Sequence, residues 1–208
     1  MYLIRGQHNL KLFKSRYPNA LLSGTIGNFD GLHLGHQAIL EKIKNNAQKY
    51  NAKTIVFFTE PHAAEYFSKV RDKNQIPPPR ICPWREKFQL LKKSKIDFAC
   101  FLKFNSKLRT MSPDDFISQI LDSINLVSFT VGDDFRFGAG RKGDTDLLKN
   151  WGEKKGILVE NTETITLDGQ RVSSTRIREE LLNNNFNNLW KELWNDSKKN
   201  SKEYKIMT

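Results

Sequence analysis

Short apolar, β-branched runs alternate along the chain with longer stretches in which apolar residues recur at helical spacing. The runs fall at 20–26, 54–58, 98–102, 126–131 and 156–159. Helical patterns lie at 34–50, 83–94, 113–124 and 144–154, and a last one begins at Ser174. The 113–124 pattern has a clean start: Ser112 to cap, Pro113 in the first turn, then Asp114 and Asp115 at the positive helix end. Strands separated by helices of this length imply crossover connections and a parallel sheet. The fold expected is a doubly wound α/β domain over residues 1–186.

Residues 187–208 read as a short addition, with Leu189, Trp190, Leu193 and Trp194 spaced for one packed helix before a polar tail. Pro77-Pro78-Pro79 fits neither helix nor central strand and marks a surface connection. The longest apolar run, at 98–102, is far below the roughly 18 residues of a membrane span. No secretory-type segment opens the chain. Two cysteines, Cys82 and Cys100, without metal-type spacing suit a reduced, cytoplasmic protein.

The 208 residues carry a formal charge of +11, and most of it sits in one segment. Residues 67–109 hold twelve Lys/Arg against three acids. Such a stretch attracts polyanions. It lacks zinc-finger spacing or a repeated basic-aromatic pattern, so nucleic acid is not the expected partner.

The most informative string is Gly27-Asn28-Phe29-Asp30-Gly31-Leu32-His33-Leu34-Gly35-His36. It leaves a strand and opens a helix, the place where open α/β sheets bind ligands. Its glycines allow close backbone approach, and the helix start favours an anion. Two histidines in His-x-Gly-His spacing can donate to phosphate oxygens.

A second string leaves the fourth apolar run: Asp133-Asp134-Phe135-Arg136-Phe137-Gly138, continuing through Gly140 and Arg141 to Gly143. Its aromatic faces suit a planar ring. A third, Arg171-Val172-Ser173-Ser174-Thr175-Arg176-Ile177-Arg178, opens the last helix. Ser174 is the expected cap there, with Thr175 and Arg178 turned toward the same end.

Together these strings resemble the FMN adenylyltransferase module of the prokaryotic bifunctional riboflavin kinase/FAD synthetase family. Phe57-Phe58-Thr59-Glu60-Pro61-His62 is similar to the family's loop after the second strand. The resemblance implies a Rossmann-like nucleotidylyltransferase fold. It also implies AMP transfer from ATP to FMN, giving FAD and pyrophosphate with Mg²⁺, the metal held mainly by phosphates and water. The family pattern assigns the chemistry to His33, His36, Ser174, Thr175 and Arg178. It places Gly27, Asn28, Phe29, Gly35 and Arg171 around ATP, and Phe58, Pro61, Asp134, Phe135 and Phe137 along FMN. The family's kinase motif Pro-Thr-Ala-Asn is missing from the 208 residues. Kinase activity is therefore not implied, and a separate riboflavin kinase is the expected source of FMN.

Two other readings compete. One is nucleotidyl transfer to a different phosphorylated substrate. The other is a catalytically silent protein that binds flavin nucleotides or nucleic acid.

Overall fold

A computed structural model describes residues 1–71, 76–185 and 191–193. Six strands form one parallel sheet: β1 (Tyr2–Arg5), β2 (Leu22–Ile26), β3 (Lys53–Glu60), β4 (Phe98–Lys103), β5 (Leu126–Gly132) and β6 (Leu158–Thr162). Their order is β1-β4-β3-β2-β5-β6. The chain moves outward from β2 through β3 to β4, then returns to β2's other side for β5 and β6. That reversal opens a crevice at the carboxyl ends of β2 and β5. Both glycine-rich strings leave the sheet there.

The connecting helices divide between the two faces. On β3, Ile55 and Phe57 point to one core, Val56 and Phe58 to the other. The first core packs under α1 (Leu10–Arg16), α5 (Ser106–Thr110), α6 (Pro113–Phe116) and α7 (Thr145–Lys155). The second packs under α2 (Leu34–Lys49) and α4 (Trp84–Lys93), through Leu40, Ile43 and Leu91. Each fully buried Phe or Leu there contributes roughly 1.5–3 kcal/mol.

Four sequence expectations shift. The sheet has six strands rather than five, because β1 is only four residues long and buries Ile4 alone. The run at 156–159 yields a strand only from Leu158, since Gly156 takes a left-handed conformation (φ 68°) that ends α7. The 113–124 helix is interrupted: α6 passes into a π-helical turn at Ile117–Leu121. Its cap is as expected, with the Asp115 N–H donating to Ser112 Oγ at 3.0 Å. Helices α1, α5 and α3 (Ala63–Arg71) were not marked by periodicity, being short and mixed in polarity.

A two-stranded hairpin, β7 (Thr166–Leu167) and β8 (Gln170–Arg171), precedes α8 (Ser174–Leu182). Its turn is Asp168-Gly169, both left-handed. Of the addition expected after residue 186, Leu189, Trp190 and Trp194 lie outside the described residues, and 191–193 are helical. No helix among the described residues is long and apolar enough to cross a membrane.

Candidate active site

The turn after β2 bends sharply. Phe29, Gly31 and Leu32 all have positive φ, which costs the two non-glycine residues energy. Gly31 is needed twice over: its φ is 82°, and a Cβ there would meet Ile81 Cγ2 at 2.7 Å. The turn delivers His33 as the N-cap of α2 and His36 one turn on. Their rings stack with centroids 3.7 Å apart. Gly35 lies close under His33; a Cβ there would come within 3.2 Å of the ring. Phe29 is fully buried, its ring 5.0 Å from His36.

Both histidines are held neutral. Burial, then the Arg171 charge, pulls His33 down to about 4. Burial, then His33 and Lys87, lowers His36 well below the usual histidine range. Each keeps a buried Nδ1 without a hydrogen-bond partner. Two neutral imidazoles with unused ring nitrogens suit a ligand rich in oxygen.

Asp30 anchors the turn from behind. Its carboxylate accepts the N–H groups of Ile81 and Cys82, both at 3.1 Å, and Arg178 Nη2 at 2.6 Å. Burial pushes this carboxyl up, but those donors outweigh it and hold it below the usual carboxylate range. Ser174 Oγ donates to the Asp30 carbonyl at 3.1 Å. Arg178 Nε reaches the Pro79 carbonyl at 2.7 Å. The loop at Ile81-Cys82 and helix α8 thus both meet the turn at Asp30. Arg80 joins the same loop to Glu60 and Glu65.

In front of the turn lies a cavity of about 860 Å³. The turn, with His33 and His36, and the segment after β5 both line it. There Phe135 and Phe137 stack, planes 13° apart. Phe137 and Gly143 exchange backbone hydrogen bonds that close the loop between them. Arg171 spans the cavity mouth from β8, 2.7 Å from Asp134 and 3.6 Å from Asp133. Phe67, Phe104 and Arg109 line the far end.

Of the residues singled out from the sequence, Gly27, Asn28, Phe29, His33, Gly35 and His36 come together here. So do Asp134, Phe135, Phe137, Arg171 and Ser174. Four do not line the cavity. Phe58 is fully enclosed in the second core, edge-on to Phe101, and offers no surface to a flavin. Pro61 follows β3 in a cis peptide off the wall, where Thr59 and Ala63 stand instead. Thr175 is solvent-exposed on α8. Arg178 is engaged by Asp30. The cap of α8 is Ser173, whose Oγ accepts the Arg176 N–H at 3.2 Å, which frees Ser174 to bind Asp30.

Sequence reasoning gave no role to Asp30, Phe67, Phe104 or Arg109. Phe67, Phe104 and Arg109 all lie in the basic segment at 67–109, to which no site role was given, yet all three reach the cavity.

The family model for FAD synthetase matches residues 19–176. The bifunctional riboflavin kinase/FMN adenylyltransferase of Escherichia coli (strain K12) is 39% identical over 187 residues, covering 89% of this chain and 57% of the relative. The protein of the same name from Haemophilus influenzae is 38% identical over 190 residues, covering 89% and 58%. This chain therefore spans little more than half the length of those curated relatives. A macrolide-efflux protein from Streptococcus pneumoniae shares the fold at a TM-score of 0.75, with 22% identity over 93% of this chain and 70% of its own. With the model match covering five of the six strands, the first two strings and the third as far as Arg176, the chain belongs to the FAD synthetase family.

Proposed function

We propose that this protein is an FMN adenylyltransferase: FMN and ATP give FAD and pyrophosphate. A phosphate oxygen of FMN attacks the α-phosphorus of ATP. One P–O bond forms, the bond to the β-phosphate bridging oxygen breaks, and its electron pair leaves with pyrophosphate. An FMN phosphate has a second pKa of about 6, so at neutral pH it is mostly ionised and needs no general base. The protein's task is alignment and charge stabilisation.

One observation carries the reading: a stacked histidine pair and a stacked aromatic pair line one cavity at the sheet's switch point. His33 and His36 donate to the ATP phosphates. Gly27, Asn28 and Gly35 shape that end, with Ser174 and Arg171 closing it. Phe135, backed by Phe137, takes the flavin ring, with Asp134 beside it. Mg²⁺ arrives with the ATP phosphates. The roles expected of Thr175, Arg178, Phe58 and Pro61 form no part of this geometry. A riboflavin kinase activity outside these 208 residues supplies FMN, in a cytoplasmic setting.

A substrate panel tests the assignment. With MgATP, FMN yields a dinucleotide, and riboflavin yields neither FMN nor FAD. Turnover of another phosphomonoester in preference to FMN refutes it.

A further inference from the structure

Lys87 belongs to the basic segment but does not face solvent. It sits on α4, and only 3% of it is exposed. Its ammonium lies over the Phe58 ring, 5.2 Å from the centroid. Its Nζ donates to the Asn28 carbonyl at 2.6 Å. That partner is neutral. The acids whose charges it feels, Asp30 and Glu60, are paired with Arg178 and Arg80. A buried ammonium that holds only a carbonyl is costly. The protein keeps one directly behind the phosphate-handling turn.

The bond also sets a direction. In a trans peptide the carbonyl and the next N–H point to opposite sides. With the Asn28 carbonyl held back toward α4, the Phe29 N–H lies on the opposite side of that peptide from Lys87, and Gly27, Asn28 and Phe29 border the cavity. Among the described residues no backbone or side-chain acceptor takes that N–H. Phe29 itself holds a left-handed φ of 47°, a conformation that needs support from outside the turn.

We infer that Lys87 is a positioning residue for phosphate binding. It fixes the Asn28–Phe29 peptide with its N–H presented to a phosphate oxygen. It also places an uncompensated positive charge behind that oxygen. The inference rests on the adenylyl-transfer reading for its kinetic consequence, but not for its binding consequence.

The test uses Lys87→Met, which keeps the stem on Phe58, and Lys87→Gln, which keeps a donor without charge. Inorganic tripolyphosphate binding is measured by calorimetry, alongside thermal melting and steady-state FAD formation. Lys87→Met is expected to melt in one transition and to bind tripolyphosphate about tenfold or more weakly. It should lower kcat by about tenfold or more with little change in KM for FMN. Lys87→Gln should fall between it and wild type in both readouts, and it stands alone if Lys87→Met does not fold. A folded variant of either kind with wild-type tripolyphosphate affinity and kcat overturns the inference. A wild-type protein that binds tripolyphosphate but forms no FAD refutes the adenylyl-transfer reading, while the binding comparison still decides the role of Lys87.

Discussion

The imidazoles of His33 and His36 stack at 3.7 Å between centroids, with their planes 22° apart. Two cationic rings could not share that space, so the pair works as neutral imidazole. Neutral donors bind a polyanion without having to take up protons first.

That neutrality has a pH consequence. In the unfolded chain a histidine protonates near pH 6.5; in the folded chain His33 does so near 4. Below the unfolded value the unfolded state binds the extra proton, so stability falls as pH drops from about 6.5 toward 4. The loss from His33 is on the order of 3 kcal/mol once both values are passed. Chemical denaturation at pH 7.5, 5.5 and 4.5 checks this. His33→Asn should flatten the dependence, and an unchanged slope would show that His33 is not its source.

His36→Ala should lower kcat by about 10²–10³, the loss of a transition-state donor, and leave KM for FMN nearly unchanged. Steady-state kinetics with each substrate varied separates the two. A rise in KM for FMN with kcat intact would move His36 to the flavin end.

Asp30 ties the turn after β2, the loop at Ile81-Cys82 and α8 together through buried and part-buried hydrogen bonds. Asp30→Ala leaves Arg178 without its carboxylate and should cost about 3–5 kcal/mol in urea unfolding. Arg178→Met should cost less when Asp30 is already Asn, a coupling that a double-mutant cycle reads.

The Arg171 pair with Asp134 is a surface pair, Arg171 being about half exposed. Arg171→Ala should therefore change stability by only about 0–1 kcal/mol. Its effect belongs in substrate binding: less positive charge at the cavity weakens ATP, seen as a raised KM for ATP. Unfolding curves and kinetics on the same preparation distinguish a charge role from a structural one.

The sheet was legible because β3 and β4 carry continuous apolar runs and β2 and β5 fill out theirs with small or β-branched residues, as parallel strands buried on both faces do. The two turns were legible because glycines, histidines and aromatics crowd into short strings directly after β2 and β5. β1 was missed because an edge strand of four residues needs only Ile4 inside. Phe58, which the family pattern places along FMN, is enclosed in the second core and does not line the cavity. On a strand of continuous apolar residues, sequence does not distinguish the last core position from the first ligand-facing one; Thr59 is the one that reaches the cavity. Arg178 and Asp30 stand 148 residues apart, and nothing local in either string announces that they pair. Lys87 was counted only as one of the twelve cations of the basic segment, because the spacing of α4 does not reveal a buried ammonium.

The central claim is that an FMN phosphate displaces pyrophosphate from the α-phosphorus of ATP. Following isotope supplied in ATP tests it most directly. With FMN and MgATP, label at the α-phosphorus should appear in FAD, and label at the γ-phosphorus should appear in pyrophosphate, in equal molar amounts. Release of γ-label as inorganic phosphate, or no α-label in FAD under saturating substrates with folded protein, would contradict the account.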